Sequence, residues 1–141
     1  FTATHMTFGA IHEMSTAQGY RRLMKMANHP VLTEILTAIM REESAHASFY
    51  RNVARIELKQ SPISRKLARF LVKHFYTPVG SGAKSQKESD YAIATLFDGN
   101  EGLEWIDRNV TQKVQTLPGF KGLTKISDKI GGIVTQNSVR I

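Results

Sequence analysis

The sequence predicts an all-α protein, a bundle of helices, and three observations carry that expectation. Apolar residues recur at three- and four-residue spacing along most of the chain. No segment alternates apolar and polar residues as a half-buried strand does, and no unit repeats at a fixed period.

In the first helix the positions Ala10, Glu13, Ala17, Tyr20 and Met24 follow Met6 on one face. Asn28-His29-Pro30 interrupts it, because proline disfavours helix at the residue before it and is at home in a helix's first turn. A second helix follows, with Leu32, Leu36, Ile39, Glu43, His46, Tyr50 and Val53 on one face, ending near Lys59 where Ser61-Pro62 supplies a stop and a fresh N-terminus. The third helix, Pro62 to Tyr76, sets Leu67, Phe70, Leu71 and Phe75 against Arg65, Lys66, Arg69 and Lys73. Thr77 to Ser89, punctuated by Pro78, Gly80 and Gly82, reads as a loop. A short helix spans Asp90 to Phe97, and another spans Glu101 to Leu117 with Leu103, Ile106, Val110 and Val114 as its stripe, ended by Pro118-Gly119. The organisation expected is a bundle portion over 1–123 and a weakly structured tail, an extended arm, over 124–141.

Composition narrows the chemistry. The chain's 141 residues suffice for one core, and 41% hydrophobic with 22% charged residues is ordinary for a soluble globular domain. No apolar run approaches the roughly 20 residues of a membrane span, so no span is expected. With no cysteine, disulfides, thiolate sites and iron–sulfur clusters are excluded, and any metal must be held by Glu, Asp or His, which suit iron, manganese or zinc. A formal charge of +7 favours acidic partners or serves general solubility; no zinc-finger or RNA-binding signature accompanies it, and nucleic acid is not expected. Phe1 to Ala10 reads as helix interior, with no initiator Met and no leader pattern, and the expectation is that further sequence precedes it.

The chemistry sits at Glu43-Ser44-Ala45-His46. Residues three apart on a helix share a face, so this E-x-x-H can offer two ligands to one metal. Both residues fall inside an apolar stripe, where an unpaired charge is costly. Glu13 intrudes in the same way between Ala10 and Ala17. In an antiparallel hairpin, residues equidistant from the turn face each other. Glu13 and Glu43 are equidistant from residue 28, and Glu13 and His46 from the 29–30 bond. The three polar intruders therefore share one level, which a metal explains directly and a structural Glu–His pair explains less economically. A complete two-metal bundle site takes a Glu from each of two helices and an E-x-x-H from each of two more, the ferritin-like pattern. One of each is present here, and no other His follows a Glu at that spacing.

Glu13-Met14-Ser15-Thr16, then Arg41-Glu42-Glu43-Ser44-Ala45-His46 with Phe49-Tyr50-Arg51, resembles the third and fourth core helices of the soluble acyl-acyl-carrier-protein desaturases, ferritin-like di-iron proteins. Pro78, Leu103-Glu104-Trp105 and Thr116-Leu117-Pro118-Gly119-Phe120 look like that family's later helices, so the similarity spans about Phe1 to Leu123 and is densest at the motif. The segment between Glu13 and Glu43 is shorter than usual there, and the family's first Glu helix and first E-x-x-H have no counterpart in this chain.

The resemblance implies a C-terminal half with two ferrous ions and oxygen as co-substrate. Glu13, Glu43 and His46 would be ligands, and Thr16 would sit beside the oxygen-binding face, unless it merely packs the helix. Glu42 would orient a histidine of the absent half, unless it is a solvated charge. The reaction would be insertion of a double bond into a carrier-bound acyl chain along an apolar tunnel, for which Tyr20, Met24 and Phe49 are candidates. An acyl carrier protein would dock on Arg65, Lys66 and Arg69, extended by Arg51, Arg55 and Lys59. Electrons would come from a ferredoxin-type donor. A homodimer and a cytoplasmic location, or the plastid stroma in a plant, would follow. Two other readings stand beside it: a ferritin-like half bundle that oxidises or binds iron after two copies complete the site, and a non-catalytic helical protein with a polar network.

Overall fold

In a computed structural model, which describes residues 1–138, the chain is an all-α helical bundle. Its elements are α1 (Thr2–Ala27), α2 (Pro30–Gln60), α3 (Pro62–Phe75), α4 (Gln86–Leu96) and α5 (Gly99–Ile106), then a π-helical turn (Asp107–Thr111) running into α6 (Gln112–Gln115), and α7 (Lys125–Ser138). Among the described residues there is no strand, only an isolated bridge between Ser81 and Lys84.

The boundaries follow from local chemistry. Asn28 ends α1 at φ 45° and ψ 43°, a left-handed conformation that Asn tolerates, with its N–H donating to the Met24 carbonyl. His29 opens α2 by accepting the Leu32 N–H on its Nδ1, with Pro30 in the first turn. Ser61 opens α3 in the same way, accepting the Ser64 N–H at 3.2 Å ahead of Pro62. The chain reverses at Asn28–Pro30, where the sequence places the turn, and α1 and α2 run back along each other as the most extensive helix pair.

Small residues make that pairing close. Ala3, Ala10 and Ala17 of α1 and Ala47 and Ala54 of α2 are buried. Gly9 lies under the Tyr50 ring, where an added Cβ would stand 2.7 Å from Tyr50 Cδ1, so a larger residue would force the ring away. The principal core lies further along the chain: Ile93 and Phe97 of α4, Ile106, Val110 and Val114, Leu117 and Phe120, and Ile126, Ile130, Ile133 and Val134 of α7. Arg22 ties α1 to this core, donating from Nε to the Leu96 carbonyl at 2.8 Å and pairing through Nη1 with Glu101 at 3.0 Å. Trp105 Nε1 donates to Gln18 Oε1 at 2.9 Å.

Three expectations are corrected. Residues 125–138 of the expected arm form α7, whose Ile126, Ile130 and Ile133 enter the core against α4. The Gly131-Gly132 pair weakens the local helix signal, and burial of that stripe overrides it. The remainder of the tail, 139–141, lies outside the described residues. The fourth helix begins at Gln86 rather than Asp90, because Ser85 and Glu88 form a reciprocal capping box inside the expected loop. The helix expected from Glu101 to Leu117 begins at Gly99, loosens into the π turn, and ends at Gln115.

The apolar stripe of α2 is corrected as well. Leu36 is its only fully buried member; the residues that α2 buries are Leu36, Ala47, Ala54 and Leu58. Ile35, Phe49 and Ile56 are more than half exposed. The side of α2 away from the seam is open and apolar, and His46 sits on its edge.

Candidate metal centre

The hairpin register brings Glu13, Glu43 and His46 together. One carboxylate oxygen from each Glu and one imidazole nitrogen lie within 4.8 Å of one another, and among the described residues this is the one group of acidic and His side chains so placed. His46 Nδ1 stands 3.9 Å from Glu43 Oε2, a separation set by the one-turn spacing on α2. Both glutamates are half-buried, whereas the His46 side chain is 60% exposed. The cluster therefore lies at the rim of the open flank, not deep in an apolar stripe.

Its electrostatics follow from that crowding. Burial, then the hydrogen bond and charge of Glu43, hold the Glu13 carboxyl up to about 7, with His46 opposing. Two carboxylates this close resist carrying two negative charges, and a proton or a cation relieves them. The donor set of two carboxylate oxygens and one imidazole nitrogen suits iron, manganese or zinc. The residues present thus fit a divalent cation, and they supply ligands for one rather than a complete set for two.

The other sequence-derived residues are dispersed around this centre. Thr16, half-buried one turn along α1, donates from Oγ1 to the His12 carbonyl at 2.9 Å, so its proton is committed to the helix. Glu42 is exposed on α2 and does not join the cluster. On α3, Arg69 donates from Nη1 to the carbonyls of Gly119 at 2.8 Å and Lys121 at 3.1 Å, and Arg65 lies against Gly119. These two arginines hold the loop after α6, and Lys66 alone of the three is exposed. Of the tunnel candidates, Tyr20 lines a cavity, Met24 accepts a long hydrogen bond from Thr37, and Phe49 is exposed.

That cavity, about 440 Å³ and mainly apolar, lies between α1, α4 and the connection after α3. Ser15, Thr16, Tyr20, Tyr76, Ile93 and Phe97 contribute to its wall, which begins one turn beyond Glu13. Burial raises the Tyr76 hydroxyl to about 12, with Ser15 opposing, so it stays protonated. Beside it, burial lowers His12, whose Nε2 is buried without a hydrogen-bond partner. Sequence reading missed this cavity because three distant segments build it and none carries a local signature.

Comparison of the chain with protein-family models, with curated proteins and with solved structures finds no match. Fold and site together define a class: an all-α protein carrying a Glu–Glu–His group with the spacing and chemistry to hold a divalent cation. No helix of the described residues is long and apolar enough to cross a membrane.

Proposed function

We propose that this chain is one half of a ferritin-like di-iron centre and that its function is oxygen-dependent desaturation of a carrier-bound acyl chain. The observation that carries the reading is the convergence of Glu13, Glu43 and His46 from two helices to within 4.8 Å. A Glu facing an E-x-x-H across a hairpin is the repeating half of carboxylate-bridged two-metal sites. The sequence resemblance at these residues supplies the narrower assignment.

Desaturation removes two hydrogens from adjacent methylenes. With one oxygen molecule, two electrons from a ferredoxin-type donor and two protons, it yields the alkene and two waters. Bound iron supplies the oxygen activation that side chains cannot. Glu13 and Glu43 would hold the cations, and Glu13 would lose its proton on loading. His46 would contribute its ring nitrogen from the open rim, within reach of helices that would complete the set. Thr16 can move a proton only after its hydroxyl turns away from the His12 carbonyl. The apolar cavity beyond Thr16 offers the acyl chain a mainly apolar wall beside α1. Lys66, with the neighbouring Arg65, offers positive charge to an acidic carrier.

The exposed Ile35, Phe49 and Ile56, spread along the flank of α2 that has His46 at its edge, favour a second reading. In it, a second copy covers this flank and completes the site by two-fold symmetry, giving an iron-oxidising half bundle.

The test is metal content and product on natively purified protein. Two irons per polypeptide longer than this chain, with loss of two hydrogens from an acyl-carrier substrate under oxygen and reduced ferredoxin, support the desaturase. One iron per chain in a dimer, with ferrous oxidation and no acyl product, supports the second reading. Protein without metal that takes up none on reconstitution refutes both.

A further inference from the structure

Moving one residue around each helix of the hairpin, from Glu13 to Met14 and from Glu43 to Ser44, leads to the opposite flank. A polar depression of about 170 Å³ opens there. It is several times the roughly 30 Å³ share of a water in the liquid, room enough for a phosphoryl group. Its polar lining is Gln18 and Arg21 of α1, Ser44, Ser48 and Arg51 of α2, and Lys113 of α6, with no carboxylate among its lining residues.

Three cations here converge without a counter-charge. Among the described residues Arg21, Arg51 and Lys113 make no ion pair. Arg51 Nε is buried with no hydrogen-bond partner. Arg21 Nε has only the weak acceptor Met40 Sδ, at 3.0 Å. Burial first, then the charges of Arg51 and Arg21, hold the Lys113 ammonium below the usual lysine range. The contrast is Arg22, one residue along α1 and buried, which is given Glu101. The three unpaired cations repel one another, Arg51 and Lys113 are partly desolvated while Arg21 reaches in from the exposed rim, and a bound anion offsets both the repulsion and the desolvation.

We infer that this depression is a binding site for a phosphate-type oxyanion, held by Arg21, Arg51 and Lys113, with the Ser44 and Ser48 hydroxyls as additional donors. Guanidinium groups match the oxygens of a phosphoryl group in pairs, and the lysine adds a point charge. The site shares no side chain with Glu13, Glu43 or His46, so it stands or falls separately from the metal reading.

The test is calorimetric titration of the full chain with inorganic phosphate, against chloride at matched ionic strength. Wild-type protein and Lys129→Gln, an exposed control on α7, should bind phosphate saturably. Lys113→Gln and Arg51→Gln should bind it at least about tenfold more weakly. Without phosphate, Lys113→Gln should melt higher than wild type, because a like charge has been removed. A purely structural lysine would give the opposite shift. If Arg51→Gln fails to fold, Lys113→Gln still decides. Glycerol phosphate distinguishes the sources: tighter binding than inorganic phosphate assigns the site to an esterified phosphoryl group, and equal or weaker binding assigns it to the free ion. No saturable heat, a response that chloride reproduces, or equal binding by Lys113→Gln and wild type would overturn the proposal.

Discussion

The two ends of this chain solve the burial problem differently. Beyond α3, the stripes of α4, α5, α6 and α7 close on one another, with Ile106, Val110, Val114, Phe120 and Ile126 fully buried. Polar groups there are paired: Thr111 Oγ1 donates to Ser127 Oγ at 3.2 Å, and Ser127 Oγ donates to Asp107 Oδ1 at 3.1 Å. On α2 and α3, by contrast, Ile35, Phe49, Ile56, Ile63, Leu67, Phe70 and Phe75 are about half exposed or more. The Glu–Glu–His cluster borders this open region, and most of the large buried apolar side chains lie in the sealed one. The proposed function needs a centre with room for a cation and a substrate, and this cluster sits where packing leaves room, on α1, which is tied to the sealed region through Arg22 and Gln18.

The comparison can be broken most sharply in the sealed region. Ile126→Ala should destabilise the protein by about 2–5 kcal/mol, the cost of removing a buried branched side chain and leaving a cavity, measured by denaturant unfolding. A loss under about 0.5 kcal/mol would mean that α7 is the arm that the sequence suggests. In the open region the large effect is on binding. Glu43→Ala should weaken divalent-cation affinity by about 100-fold or more while leaving the fold intact, because it removes one of three ligands. Unfolding of that variant in a chelator, where wild type stays folded, would make Glu43 a structural residue instead.

An intermediate effect is expected at pH. The Glu13 carboxyl sits at about 7 in the fold against an ordinary 4.5, so the folded state holds a proton that the unfolded chain releases. The metal-free fold therefore has this contribution in full below about pH 4.5 and loses it as pH rises through about 7. Cation affinity has the opposite slope, rising through the same window as the proton leaves. Glu13→Gln should flatten the Glu13 contribution to the first slope and abolish the second, read by thermal melts and cation titrations from about pH 5 to about pH 8.5. Smaller still, Ser85→Ala should cost about 1 kcal/mol by opening the capping box of α4. Smallest, Phe49→Ser should change monomer stability by no more than about 0.5 kcal/mol, since its ring is already 59% exposed.

Legibility in the sequence divides along the same line. Helix ends written in side-chain chemistry were readable: Asn28, His29-Pro30 and Ser61-Pro62 mark the boundaries that the structure shows. From that turn, equal spacing put Glu13 opposite Glu43 and His46, and no tertiary information was needed. Which stripe faces inward was not readable. On α2 the small residues Ala47 and Ala54 are buried and larger Phe49 and Ile56 are not, because close approach to α1 selects size over hydrophobicity. The cavity beside Thr16 and the cationic depression were likewise hidden, since each joins segments far apart in the chain. Arg65 and Arg69 read as a docking face, but the loop that engages them arrives some fifty residues later.

The most direct test of the central claim is anaerobic calorimetric titration of the metal-free chain with ferrous or manganous ion near neutral pH, in two buffers of different ionisation enthalpy, with Glu13→Gln and His46→Ala beside it. The account predicts saturable binding by wild type, with a proton released as the cation loads, and much weaker binding by both variants. Absence of saturable binding, or wild-type binding by both variants, would contradict it and leave Glu13, Glu43 and His46 as neighbours without a ligand.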